Sequence, residues 1–141
     1  MSGKAFVDTN ILVYAHDRSA GAKHTRASAL VEKLWRTNTG IVSTQVLQEL
    51  CVSVRRRFAL PFTIAETQTL IEDFLSWEIV VNTAASVLAA LEIESRYKIS
   101  FWDALILHAA ENSGAEILYS EDFSEGQAYG SIRVVNPLTS D

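Results

Sequence analysis

The stretch Phe6-Val7-Asp8-Thr9-Asn10 joins a short apolar segment to a polar corner, and the apolar run Ile11-Leu12-Val13-Tyr14-Ala15 follows directly. We interpret it as a short buried strand that leads at once into a helix. In open α/β sheets, ligands bind at the carboxyl ends of parallel strands, which is where this pattern places Asp8. A buried, unpaired carboxylate is strongly disfavoured. Asp8 is therefore either a capping residue at the strand–helix turn or part of a site at which other acids converge.

The rest of the chain alternates short β-type runs with longer helical ones. We predict strands at 4–8, 41–42, 77–81, 117–119 and 133–135, the last at an edge of the sheet. After a first short helix through Tyr14 and Ala15, we predict helices at 23–37, 45–58, 63–76, 83–97 and 101–113. This alternation is typical of a parallel sheet covered on both faces. The 141 residues fit a single domain over 1–141.

Composition excludes several classes of protein. Apolar residues make up 48% of the chain, which excludes general disorder. The longest apolar run is far shorter than a membrane span, and the chain does not begin like a signal peptide. Cys51 is the only cysteine, so neither an internal disulfide nor a cysteine metal cluster is possible. We expect a cytoplasmic protein with no membrane partner.

Three further acidic residues lie beside apolar segments, where a carboxylate is not expected without a partner. Glu49 falls at the border of the apolar arc of its helix, where a side chain that reaches water is the simplest structural interpretation. Asp103 lies in the first turn of a helix that is apolar nearly all round, and there it also suits the helix dipole. Asp122 follows the strand at 117–119 as Asp8 follows the first strand. Glu121 is its rival; we prefer Asp122 and expect Glu121 to face solvent.

These four carboxylates account for four of the five net negative charges. At separations of about 5 Å, each like-charged pair would cost roughly 3 kcal/mol at an effective dielectric constant of about 20. Such a cluster is stable only with bound protons or cations. Carboxylate oxygens without histidine or cysteine favour Mg²⁺ or Mn²⁺ over zinc. A carboxylate-bound Mg²⁺ is typical of phosphoryl-transfer chemistry.

Basic and aromatic side chains offer weaker candidates. The net charge of −5 argues against a protein that coats nucleic acid generally. The run Arg55-Arg56-Arg57 near the end of its helix is explained either by the helix dipole or by contact with a phosphate backbone. The candidates for substrate binding are Arg55, Arg56, Arg57, Lys23 and Arg26. We expect Trp35, Trp77 and Trp102 to lie in the core or an interface rather than to stack on bases.

Four segments together resemble a known family. They are Val7-Asp8-Thr9-Asn10-Ile11-Leu12, Gln48-Glu49-Leu50, Ser100-Phe101-Trp102-Asp103-Ala104-Leu105-Ile106 and Tyr119-Ser120-Glu121-Asp122-Phe123. In this order they are similar to the four acidic motifs of PIN-domain ribonucleases. Within that family, the chain most resembles VapC-type toxins of bacterial toxin–antitoxin pairs. The resemblance covers nearly the whole chain.

The resemblance implies a three-layer α/β/α sandwich with a central, mainly parallel sheet of four to five strands. It also implies metal-dependent endonuclease activity on RNA. Asp8 and Asp103 would be the principal ligands of Mg²⁺ or Mn²⁺. Glu49 and Asp122 would hold the metal directly or through water, or help to activate the attacking water. The small polar residues that would support the site are Asn10 and Ser120. Implied partners are RNA, a small antitoxin that covers the active site, and a second copy in a homodimer.

Two other functions remain as alternatives. An Asp after a strand is also similar to the nucleophile of haloacid-dehalogenase-type phosphatases, but Asn10 occupies the position of that family's second Asp. A PIN-like fold that works only through partners, as a non-catalytic binding module, is the other alternative.

Overall fold

The computed structural model describes residues 3–124 and 127–139, and this part of the chain forms an α/β sandwich. Its strands are β1 (Ala5–Val7), β2 (Gly40–Ser43), β3 (Glu78–Val80), β4 (Ile117–Tyr119), β5 (Ala128–Tyr129) and β6 (Ile132–Val135). Its α-helices are α1 (Thr9–His16), α2 (Ala22–Thr37), α3 (Thr44–Arg56), α4 (Ile64–Phe74), α5 (Ala84–Tyr97) and α6 (Phe101–Asn112), and a 3-10 helix covers Arg18–Ala20. Within the described ranges, no helix is both long and apolar enough to span a membrane.

The strands form one sheet in the order β3-β2-β1-β4-β6-β5. Neighbouring strands are parallel except β5 and β6, which form an antiparallel hairpin. The mainly parallel sheet is therefore as predicted, but it has six strands rather than the four to five expected. The prediction of an edge strand at 133–135 is wrong, because β6 lies between β4 and β5. The two-residue β5 is too short to show any periodicity in the sequence, and the hairpin turn begins at Gly130, whose φ of 63° favours glycine.

Burial of the central strand shows that both faces of the sheet are covered. Successive side chains of a strand point to opposite faces, yet all three residues of β1 are buried. Packing on both faces is what a parallel sheet requires. The predicted layered fold is thus confirmed, and it places the carboxyl ends of β1 and β4 side by side.

An aromatic cluster at one end of the core fixes how β2 packs. The ring of Phe74 lies 4.7 Å from that of Trp35 and 5.0 Å from that of Trp77 between centroids. Gly40, the first residue of β2, faces the indole of Trp77, and a Cβ atom there would lie 2.5 Å from the ring. Only glycine leaves room for this contact.

Candidate active site

Asp8 is the first residue after β1, and it is buried. Its Oδ1 accepts a hydrogen bond of 2.7 Å from the backbone N–H of Thr9, so the carboxylate caps α1. Its Oδ2 accepts a hydrogen bond of 2.8 Å from the hydroxyl of Ser120. Burial raises the pKa of Asp8 to about 7, with a smaller contribution from repulsion by Asp122 and Asp103. Capping and membership of an acid site are therefore compatible at this residue.

Ser120 joins two of the predicted acids. It follows β4, its side chain is fully buried, and its Oγ donates to Asp8. The same oxygen accepts a hydrogen bond of 3.1 Å from the backbone N–H of Asp122. One hydroxyl thus connects the turn after β1 with the turn after β4. This geometry fits the supporting role predicted for Ser120.

Glu49 reaches the same region from α3. Its Oε1 accepts a hydrogen bond of 2.5 Å from the hydroxyl of Thr9, and its Oε2 accepts one of 3.4 Å from the amide of Gln45. Gln45 also donates to the carbonyl of Trp102, at 3.3 Å. Among the described residues, the buried Oε1 of Gln45 has no hydrogen-bond partner. The sequence does not predict these roles of Thr9 and Gln45, because a hydroxyl or amide beside an acid has no distinctive spacing.

Asp103 enters from the first turn of α6, which Ser100 caps by accepting a 3.1 Å hydrogen bond from the N–H of Asp103. Burial raises the pKa of Asp103, and repulsion by Asp122 and Glu49 adds to that effect. The pKa of Asp122 is likewise raised, mainly by burial, with repulsion from neighbouring glutamates in addition. Because repulsion from neighbouring carboxylates contributes to each raised pKa, these acids lie close enough to interact electrostatically.

All four predicted acids line one open cavity of about 480 Å³. We call them the acid cluster: Asp8, Glu49, Asp103 and Asp122. The cavity lies at the carboxyl ends of β1 and β4, beside the first turns of α1 and α6 and along α3, so five different elements build it. A cleft of this volume is of the size that binds small ligands or part of a polymer.

The chemistry of the acid cluster fits a divalent cation. None of its four carboxylates forms an ion pair with a described Lys or Arg. Burial raises the pKa of Asp8, Asp103 and Asp122, which disfavours their charged form in the absence of a cation. Hard carboxylate oxygens are the donors that Mg²⁺ or Mn²⁺ prefers. In the described part of the chain, no three acid, histidine or cysteine side chains are close enough to share an ion, so the fit rests on the chemistry of the donors.

Glu121, the rival of Asp122, points away from the cavity. Its Oε1 accepts a 2.9 Å hydrogen bond from the hydroxyl of Tyr14, and its Oε2 lies 3.2 Å from the Nζ of Lys23. The expectation that Glu121 faces solvent is wrong, because α1 and α2 supply it with partners. The same contacts keep Lys23 away from the cavity lining.

Of the five basic candidates, all within the described residues, only Arg57 lines the cavity. It is the residue that ends α3, and its Nη1 donates a hydrogen bond of 3.4 Å to the Oδ1 of Asn10. The guanidinium of Arg55 instead bonds the carbonyl of Cys51. The structure therefore brings together Arg57 and Asn10, but does not bring Arg55, Arg56, Lys23 or Arg26 to the cavity.

Trp102 also lines the cavity, with 61% of its surface exposed. The tryptophans are expected in the core or an interface. Trp77 is buried and Trp35 packs against the core, which confirms a core position for both. Trp102 does not lie in the core, and an interface position for it stays a prediction.

Comparison with known proteins identified a family and a fold. A family model described as PIN domain matches residues 5–124, whereas no curated protein matches the chain. A toxin–antitoxin complex from Klebsiella pneumoniae is 19% identical, with a TM-score of 0.71, over 95% of this chain and 98% of that one.

Two further solved structures have similar folds. VapC20 from Mycobacterium tuberculosis, a sarcin–ricin loop cleaving toxin, is 22% identical with a TM-score of 0.65, over 84% of this chain and 90% of that one. VapBC2 from Rickettsia felis, bound to a DNA fragment from its promoter, is 24% identical with a TM-score of 0.64, over 94% and 97%. At such identities the likeness shows the fold.

Proposed function

Since the chain belongs to the PIN domain family, we propose that it is a metal-dependent endoribonuclease that hydrolyses RNA phosphodiester bonds. We propose further that it is the toxin of a toxin–antitoxin pair and forms one PIN-like domain over residues 1–141. The observation that carries the proposal is the acid cluster: four carboxylates from four elements line one cavity, without a cationic partner among the described residues. Clustered, poorly compensated carboxylates are typical of functional sites.

In this proposal Asp8 and Asp103 are the principal ligands of Mg²⁺ or Mn²⁺, and Glu49 and Asp122 hold the ion directly or through water. When bound, the metal supplies an activated water and stabilises negative charge on the phosphate. Hydrogen bonds from Thr9 and Ser120 fix both oxygens of Asp8, so this carboxylate is already oriented for binding.

The other two members of the acid cluster, Glu49 and Asp122, can accept the proton of the attacking water. Glu49 and Asp122 reach the cavity from different elements, and the pKa of Asp122 is raised. A carboxylate with a raised pKa is a better proton acceptor near neutral pH than an ordinary one. Glu49 keeps a fixed orientation through its hydrogen bond from Thr9.

We also propose the partners that this function requires. The described relatives include complexes of toxin with antitoxin, which supports a small antitoxin as the protein partner. We expect that its bound segment covers the acid cluster and that the toxin acts as a homodimer in the cytoplasm. Apolar side chains exposed on α5, such as Leu88 and Leu91, offer surface for such contacts.

The test is cleavage of a structured RNA pool by purified protein, with Mg²⁺, with Mn²⁺ and with chelator. We expect metal-dependent cleavage that falls at least a hundredfold in Asp8→Asn and in Asp103→Asn. Asp73→Asn is the matched control, since Asp73 is an exposed acid on α4. It should cleave like the unaltered protein.

Other outcomes would point to other functions. No cleavage by folded protein free of any partner would favour the non-catalytic binding module. Release of phosphate from small esters would favour a phosphatase. Cleavage that survives in both active-site variants would mean that a different site, or a contaminant, is responsible.

A further inference from the structure

We propose that Trp102 binds a nucleobase of the RNA by stacking, beside the acid cluster, while Arg57 binds a backbone phosphate in the same cavity. This inference rests on the proposed nuclease function and adds to it a binding site for the nucleotides that flank the cleaved bond. It assigns the recognition of substrate to two side chains outside the acid cluster.

The exposure of Trp102 is the first observation. An indole is among the largest apolar side chains, and burying it is normally favourable. Trp77 follows that rule, but Trp102 leaves 61% of its surface in solvent, although residues 104–107 of the same helix are buried. An exposed aromatic ring on the wall of a functional cavity is available to a ligand with a flat apolar face.

The second observation is that the backbone and the ring of Trp102 each have a contact before any ligand arrives. Its carbonyl accepts a hydrogen bond from Gln45, a buried side chain that also donates to Glu49. Its ring packs edge to face against Phe101, with centroids 5.2 Å apart. A fixed platform loses little conformational freedom on binding.

The third observation is the order of groups along α3. Gln45, which bonds the carbonyl of Trp102, is the second residue of this helix, Glu49 lies one turn further on, and Arg57 directly follows its last residue. Gln45 and Arg57 are twelve positions apart, which corresponds to about 18 Å of helix. Along α3, Glu49 of the acid cluster therefore lies between the contact with Trp102 and Arg57.

Arg57 is suited to a phosphate because its present contact is weak. Its hydrogen bond to Asn10 is 3.4 Å long, and its side chain is exposed. A guanidinium binds phosphate through two parallel hydrogen bonds. Together, a stacking ring and a phosphate-binding cation are the usual means of holding an unpaired nucleotide.

The experiment measures binding of two RNA probes of ten nucleotides by fluorescence polarisation, in Mg²⁺, in an Asp8→Asn background that leaves the probes intact. One probe is oligoadenylate; the other has the same backbone with abasic riboses. We expect about tenfold tighter binding of oligoadenylate. Trp102→Ala should abolish this preference, and Trp102→Phe should retain most of it. Leu75→Ala, which removes an apolar side chain that is 59% exposed, is the matched control and should leave the preference unchanged.

A separate part of the experiment tests the role of Arg57. Arg57→Gln should weaken binding of both probes by the same factor and reduce the slope of log affinity against log salt by about 1. A selective loss for the probe with bases would contradict the role assigned to Arg57.

Several results would overturn the inference about Trp102. It fails if the two probes bind equally, or if the preference persists in Trp102→Ala. It also fails if Trp102→Ala changes the oligomeric state measured by light scattering, since a second copy would then cover the indole. If RNA is cleaved but the probes bind equally, only this inference fails. If neither probe binds and no RNA is cleaved, the proposed function fails with it.

Discussion

Replacing Asp8 by Asn should abolish RNA cleavage and yet make the metal-free protein more stable above neutral pH. Asn has the same shape, and its amide can keep a hydrogen bond with Thr9 on one side and Ser120 on the other. What the substitution removes is a carboxylate that must ionise inside the protein. Burial raises the pKa of Asp8 from an ordinary 3.8 to about 7 in the folded state.

The size of the effect follows from linkage between protonation and folding. Between pH 3.8 and about 7, the folded protein holds a proton on Asp8 that the unfolded chain has lost. The free energy of unfolding therefore decreases by about 1.4 kcal/mol per pH unit as pH rises through this window. Over the whole window the loss is about 4 kcal/mol. The Asp8→Asn variant has no carboxylate at this position, so its free energy of unfolding does not decrease in this way.

Urea denaturation in chelator, from pH 5.5 to 8.5, measures this difference. The stability advantage of Asp8→Asn should grow by about 2 kcal/mol between pH 5.5 and 7 and then level off, which corresponds to roughly 1 M in the urea midpoint. Added Mg²⁺ should stabilise the unaltered protein and not the variant, by mass action.

Two results would refute this reasoning. If the two proteins lose stability in parallel as pH rises, Asp8 does not titrate in this window. If the Asn variant is the less stable protein at pH 8 without metal, the hydrogen bonds of the carboxylate outweigh the cost of burying its charge. Asp73→Asn serves again as the control and should follow the unaltered protein at every pH.

Three further substitutions test other parts of the structure. Gly40→Ala should destabilise the fold by about 1–3 kcal/mol, measured by urea denaturation, because its methyl group would displace the ring of Trp77. Ser120→Ala removes a hydrogen bond that lowers the pKa of Asp8. A pH–rate profile of RNA cleavage should therefore show a higher apparent pKa than in the unaltered protein, and an unchanged profile would contradict the contact. Glu121→Gln breaks a partly exposed ion pair, so thermal unfolding should show a loss below about 1 kcal/mol, and a complete loss of cleavage would restore Glu121 as the fourth acid.

The fold and the positions of the four acids could be predicted from the sequence, because both follow from the order of strands and helices along the chain. Alternating apolar runs predicted each long helix within about two residues, and the resemblance to the PIN family is confirmed. Asp8 and Asp122 were placed correctly because each follows a strand, and parallel strands end at the same edge of a sheet.

The other contacts of the site could not be predicted from the sequence, because they depend on the direction in which each side chain points. Successive residues on a helix point about 100° apart, so the three arginines at 55–57 face three ways, and the sequence cannot tell which one reaches the cavity. The exposure of Trp102 depends on tertiary packing that the sequence does not encode locally. Glu121 and Asp122 are adjacent acids, and the phenol of Tyr14, far away in sequence, holds Glu121 away from the cavity.

The hydrogen bond from Ser120 to Asp8 joins residues 112 positions apart, and this has a consequence for how the protein is made. During synthesis the amino-terminal part of a chain emerges from the ribosome first. Asp8 therefore emerges well before its neighbouring strand β4. For a protein proposed to cleave RNA, the acid cluster stays unassembled until β4 and Ser120 have also been made. The ribosome is thus not exposed to an assembled nuclease site while the segment between Asp8 and Ser120 is being synthesised.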